Sequence, residues 1–199
     1  MKKVLRGRIY LILFTILIWG FIYLGKKDFS TNISDAELFS KEYKAVSSDN
    51  PFVYVTSSDV LDILKNKTGI ILVGFQSNAW MQEYVKQLYP ILRDNNIKKV
   101  YYYDVLEDRT KKTKNFREIE DLLSNYLKIT DMGVEYLFTP ALIFVKNGEV
   151  VNYDDETSLV SINMQPNTYW DNDTISAFRD KINIYLSEVD YNEWEKKNI

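Results

Sequence analysis

The chain has 199 residues, a formal net charge of −3, and neither cysteine nor histidine. The missing thiol and imidazole exclude dithiol–disulfide exchange, Ser-His-Asp and Cys-His nucleophiles, and every common zinc site. Catalysis by carboxylates, Lys, Tyr or Ser stays open, and the composition calls for no cofactor.

At the N-terminus, Lys2, Lys3, Arg6 and Arg8 form a basic tip over residues 1–8. An uncharged run follows over residues 9–25. At ~1.5 Å per helical residue it reaches roughly 25 Å, near the ~30 Å of a hydrocarbon core. Trp19 and Tyr23 stand near its outer end, where amphipathic aromatics favour the interface. The basic flank predicts a cytoplasmic N-terminus, a single membrane-spanning signal anchor and an extracytoplasmic remainder. A cleaved signal peptide needs small residues at its cleavage site, and here only Gly25 qualifies. Six of the 25 basic residues and none of the 28 acidic ones precede Asp28, so the remainder carries nineteen basic groups against 28 acids. That balance argues against nucleic acid or an anionic membrane surface as partner and reads as a solubility device.

Residues 26–50 read as a linker with one short helix. Ser34-Asp35-Ala36-Glu37 fits a capping box, with Leu38, Phe39, Tyr43 and Val46 at helical spacing behind it. The helix is either a stalk or a packed lead-in. A strand is predicted over 51–55, then a helix capped by Ser57-Ser58-Asp59 and carrying Val60, Leu61, Ile63 and Leu64. Residues 70–75 form an apolar run of strand length, as a central buried strand requires. A helix over 79–94 places Trp80, Met81, Tyr84, Val85, Leu88 and Leu92 on one side, and Pro90 should kink it or end it early.

A third strand over 99–104 contains the tyrosines 101–103, read as packing and edge cover. A charged stretch over 107–114 leads into a helix with Phe116, Ile119, Leu122, Leu123, Tyr126 and Leu127. Phe138 to Val145 reads as a strand preceded by proline, Pro140. Asn147-Gly148 then predicts a type I′ hairpin with the return strand 150–153, because both central residues need positive φ. The acids 154–156 and the run 171–173 lack the spacing and glycine of a calcium loop. They read as a solvated turn and a helix cap. The last helix carries Ile175, Phe178, Ile182, Tyr185 and Val189. The order is β-α-β-α-β-α-β-β-α, an α/β domain over 51–190 with a tail at 191–199.

Two segments carry a resemblance. Gly69 to Phe75 leads through Gln76-Ser77-Asn78-Ala79-Trp80-Met81 into a helix, and Thr139-Pro140 opens the hairpin. This resembles the thioredoxin-like family. Asn78 and Met81 stand at the two cysteine positions, Ala79 at the intervening proline, and Trp80 matches the Cys-Pro-Trp-Cys variant. More narrowly, it is similar to membrane-anchored or secreted bacterial members that include bacteriocin transport accessory proteins. The resemblance implies a mixed sheet flanked by helices, a cis Pro140 facing the helix start, and a shallow peptide groove. That groove would be formed by Asn78, Ala79, Trp80, Met81, Thr139 and Pro140. Two positions depart from the family: Leu72 replaces its buried acid, and the mid-helix proline would fall at Lys86, whereas this chain has Pro90.

The implied function is a non-catalytic peptide- or protein-binding accessory module, anchored in the membrane through residues 9–25 and serving secretion or bacteriocin transport. The alternative is an inert subunit of an envelope complex, recruited through its anchor and acidic surface. A carboxylate enzyme, needing two acids in one pocket, is a third reading. Against the groove, Trp80 and Met81 equally fit a helix core, and Pro140 a structural turn.

Overall fold

The computed structural model describes residues 33–130, 132–160 and 164–189, apart from the side chains at 156 and 159. The basic tip, the 9–25 run and the 191–199 tail lie outside the described residues. Among the described residues no helix is long and apolar enough to cross a membrane.

In chain order the elements are α1 (Asp35–Glu42), β1 (Phe52–Tyr54), α2 (Ser57–Asn66), β2 (Gly69–Gly74), α3 (Ala79–Asp94) and β3 (Val100–Asp104). Then come α4 (Leu106–Lys111), α5 (Lys114–Leu123), β4 (Lys128–Ile129), β5 (Glu135–Tyr136), β6 (Ala141–Lys146) and β7 (Glu149–Asp154). A 3₁₀ turn (Glu156–Leu159), α6 (Pro166–Tyr169) and α7 (Asn172–Glu188) complete the described part. Five strands form one mixed sheet in the order β1-β3-β2-β6-β7, and β4 and β5 form a small separate ribbon. The β1–β3 and β2–β3 pairs are parallel, whereas β2–β6 and β6–β7 are antiparallel.

β2 is central, and Ile70, Ile71, Leu72 and Val73 are all fully buried. Successive strand residues face opposite sides of a sheet, so β2 feeds two cores. Ile70 and Leu72 join α1, α3 and α7 through Phe39, Tyr84, Leu88, Phe178 and Ile182. Ile71 and Val73 join α2 and α5 through Val60, Ile63, Phe116 and Ile119. The tyrosine run splits in the same way: Tyr102 enters the first core and Tyr103 the second. Because β3 lies between β1 and β2, these rings are core rather than edge cover.

Local chemistry sets several boundaries. At α1, Ser34 and Glu37 form the expected capping box, each side chain accepting the other residue's backbone N–H at 3.2 Å. Its apolar residues enter the sheet core, so α1 is the packed lead-in rather than a stalk, and the compact unit begins at Ser34. The cap of α2 is Thr56 with Asp59, one residue before the expected serine, and Ser57 is already helical. Asp171 caps α7 by accepting from the Thr174 N–H at 2.9 Å. Pro90 does not end α3, which continues to Asp94. Buried Leu88, Ile91 and Leu92 on either side of the proline hold the helix against the sheet.

The acids 154 and 155 are not a solvated turn: Asp154 is 3% and Asp155 7% exposed. Lysines from other elements make that burial tolerable, as described below.

The β6–β7 hairpin turns on Asn147 (φ 53°) and Gly148 (φ 80°), the two positive values that a type I′ turn needs. It is also docked onto the end of α2. The Gly148 N–H donates to the Lys67 carbonyl at 2.8 Å, and the Asn147 N–H to Thr68 Oγ1 at 2.9 Å. A Cβ at Gly148 would lie 2.3 Å from the Lys65 carbonyl oxygen, which is backbone and cannot swing away. Gly148→Ala is therefore expected to destabilise the fold by about 2–4 kcal/mol, combining positive-φ strain with the clash. A urea-unfolding midpoint measures this, and a loss below about 0.5 kcal/mol would mean that the hairpin moves off α2 freely.

Candidate functional site

The two segments singled out in the sequence meet. Asn78 is the N-cap of α3, and its Oδ1 accepts the Trp80 backbone N–H at 2.9 Å. Its Nδ2 reaches across to the Thr139 carbonyl at 3.1 Å and to Thr139 Oγ1 at 3.4 Å. One amide thus caps the helix with its oxygen and holds the entry of β6 with its nitrogen. The Thr139–Pro140 peptide bond is cis.

The six expected site residues differ in access. Ala79 is exposed, Asn78, Trp80 and Thr139 are half-buried, and Met81 and Pro140 are buried. Met81 is core: its thioether lies over Gly74, where an added Cβ would come within 2.3 Å of the sulfur. Glycine at the end of β2 is thus what admits Met81 beneath the helix start. Trp80 leans edge-on against Tyr169 of α6, with ring centroids 5.7 Å apart. The accessible surface is then Ala79, the free parts of Asn78, Trp80 and Thr139, and the exposed Gln76 and Ser77 before them.

Sequence reasoning missed the residue that braces the other side. Arg109 on α4 donates through Nη2 to the Leu137 carbonyl at 2.7 Å and through Nη1 to Thr139 Oγ1 at 3.4 Å. Its guanidinium also lies over the Phe75 ring (5.9 Å) and the Tyr136 ring (5.2 Å). In the sequence it is one charge among many in 107–114, and no spacing sets it apart. Asp108 anchors the same helix. Burial pushes its carboxyl up, but hydrogen bonds from Thr113, Tyr103 and Ser57 outweigh that and hold it below the usual carboxylate value. Its contribution to α4 is thus present near neutrality and lost as pH falls through the lowered value. Gln82 ties the loop to α1, donating to the Gln76 carbonyl at 2.9 Å and the Glu42 carbonyl at 3.1 Å.

With an amide, an indole, a threonine and a guanidinium, the site offers hydrogen bonds and aromatic surface. The first turn of α3 carries no acid, and the Asn78 oxygen meets the positive end of the helix. Asn78→Ala removes both the cap and the link to Thr139. It is expected to cost about 1–2 kcal/mol, whereas Asn78→Asp keeps the cap and loses only the donor to Thr139. The gap between the two variants in thermal unfolding measures the cross-link; equal losses would assign the whole effect to capping.

The carboxylate-enzyme reading needed two acids in one pocket. Asp154 and Asp155 do line one cavity. Each is engaged by a lysine: Lys181 Nζ lies 2.5 Å from Asp154 Oδ1, and Lys128 pairs with Asp155 Oδ1. Tyr84 Oη also donates to Asp154 Oδ2 at 2.7 Å. Among the described residues no group of three or more acids is placed to hold a metal ion. Compared with known proteins, the chain matches no family model and no curated protein sequence.

Proposed function

We propose that this chain is a membrane-anchored, thioredoxin-like binding module that performs no dithiol chemistry and holds an extended peptide across the start of α3. The observation that carries the reading is the Asn78–Thr139 contact, which joins segments 61 positions apart. It sets the helix N-terminus beside the residue preceding Pro140, the place where the resemblance puts the peptide. The sheet order, with a parallel β1–β3–β2 half and an antiparallel β6–β7 half, supports the family reading. Residues 9–25 supply the anchor, and the binding domain stands outside the cytoplasm, where a secretion or bacteriocin-transport partner would meet it. Half-buried Trp80 and Thr139 supply the contact surface; Met81 and Pro140 support it from below.

The test is site-specific photo-crosslinking of the full chain in its native membrane. A photo-reactive residue at position 80 is compared with one at position 184, which is exposed on α7. A defined product from position 80 alone, lost when Thr139 is replaced by Pro-compatible but bulkier Ile, supports the groove. Products shared by both positions, or none from position 80, would overturn it and leave the anchor as the recruiting element.

A further inference from the structure

Of the four most exposed large apolar side chains among the described residues, three lie close together on the β4–β5 ribbon: Ile129 (68%), Met132 (86%) and Val134 (56%). The fourth, Ile184, stands on α7. A single exposed apolar residue is ordinary, whereas three around one turn form a patch. The turn has no core beneath it: a Cβ added at Gly133 would meet no atom within 4 Å.

The base of the ribbon is fastened on both strands. Lys128 on β4 pairs with buried Asp155. After β5, fully buried Leu137 accepts from Arg109 through its carbonyl, and the same guanidinium covers the Tyr136 ring. The turn also closes its own main chain. The Thr130 N–H donates to the Val134 carbonyl and the Gly133 N–H to the Thr130 carbonyl, both at 2.8 Å, and the Val134 N–H donates to Thr130 Oγ1 at 3.3 Å. A turn whose N–H groups are paired loses less on leaving water than an open loop does.

The ribbon joins the sheet at a defined end. It runs through Thr139 and Pro140 into Ala141, which lies opposite Val73 near the C-terminal end of β2. The domain is entered at the same end. Asp35 Oδ2 accepts the Tyr54 N–H at 3.0 Å at the C-terminal end of β1, and β1, β3 and β2 run parallel.

We propose that the ribbon tip is a second membrane contact: given the reading of residues 9–25 as an anchor, Ile129, Met132 and Val134 enter the headgroup–acyl boundary of the same bilayer. Residues 26–33 form the tether, and at ~3.5 Å each they cover at most about 28 Å. The bilayer is thus within reach of the end of the sheet that carries both the ribbon and the Asn78–Thr139 contact. Asp131 and Glu135 in the same segment keep the contact shallow, about 5–10 Å, rather than in the hydrocarbon core. The acidic balance of the domain disfavours anionic headgroups, so the contact is apolar and neutral lipid suffices.

The experiment uses the full chain in phosphatidylcholine nanodiscs. The absence of cysteine allows a single environment-sensitive fluorophore per chain, through Met132→Cys or, as control, Ile184→Cys. A nitroxide placed shallowly on the lipid acyl chain should quench the label at 132 at least about twofold more than the label at 184. Iodide in the water should reach only the label at 184. Added anionic lipid or salt should leave both results unchanged. Replacing Ile129 and Val134 by Ser should abolish the lipid quenching and leave the thermal midpoint in place, since both side chains are exposed. Quenching that survives this double replacement would show that the dye inserts by itself, and would overturn the proposal. So would quenching that requires anionic lipid and disappears with salt. Shielding from iodide without lipid quenching would assign the tip to a second copy of the chain, also against the proposal. A chain that enters the discs with position 132 open to iodide overturns the tip contact alone, whereas a chain that does not enter them overturns the anchor as well.

Discussion

Phe39→Ala should lower the unfolding free energy by about 3–5 kcal/mol, a large part of the 5–15 kcal/mol typical of a domain. Phe39 lies on α1, which from the sequence alone was as readily a stalk. In the structure its side chain is fully buried and stacked on Phe52 (centroids 3.9 Å) and Tyr43 (4.4 Å), with Tyr102 edge-on at 5.1 Å. Truncation to Ala removes the ring from these three partners and from Tyr54, edge-on at 6.3 Å. The backbone of α1 is held by its capping box and by Asn50, whose Nδ2 donates to the Ala36 carbonyl at 2.7 Å, so collapse into the cavity is restricted. Leu38, the preceding residue, is 38% exposed and is the matched control, expected to lose less than about 1 kcal/mol. Urea unfolding followed by far-UV circular dichroism separates the two. Near-equal losses would mean that α1 is peripheral and that the folding unit starts at β1.

A second large effect is expected at Lys181. Its ammonium pairs with Asp154, which is 3% exposed and also accepts from Tyr84. Taking a carboxylate out of water is tolerated only while such partners remain, and breaking a buried pair from one side costs about 3–5 kcal/mol. Lys181→Met should come close to the lower figure, because Tyr84 still donates. The double replacement Lys181→Met with Asp154→Asn should recover part of the loss, since no unpaired charge is left inside. Lys86→Met is the comparison: the Lys86–Glu83 pair spans 3.0 Å on the open face of α3 and should change stability by under about 0.5 kcal/mol. If Lys181→Met matches Lys86→Met, the burial of Asp154 is not what gives the pair its weight. If the double replacement is no better than the single one, the loss is packing and not charge.

The contrast between these positions shows what was legible beforehand. Ser34 and Glu37 announce a helix start because a capping box involves groups three residues apart. The start of α3 at Ala79 follows from an asparagine cap and a 3.6-residue apolar period, whereas Pro90 pointed to a kink or an earlier end than Asp94. Asn147-Gly148 specifies its hairpin through backbone φ alone. Local signals fail where a neighbour supplies the answer. The side chain at 81 reads equally as groove or core until Gly74 is seen to leave room for it. Tyrosines 101–103 read as packing and edge cover, and only the position of β1 outside them removes the edge. Arg109 carries no signal, because its partners Leu137 and Thr139 are about thirty positions away.

The sequence by itself determined that no thiol or imidazole chemistry occurs, that the fold is a mixed α/β one, and where α3 and the β6–β7 hairpin begin. These rest on residue identity, periodicity and contacts within one turn of chain. Only the tertiary structure decided that Asn78 reaches Thr139, that α1 belongs to the core, and that Asp154 and Asp155 are buried with lysines at the end of β7. Each of these depends on groups that chain folding brings together, such as Tyr84 and Asp154 at a separation of 70 positions. The pairing energy that makes a buried carboxylate tolerable exists only once such partners have met.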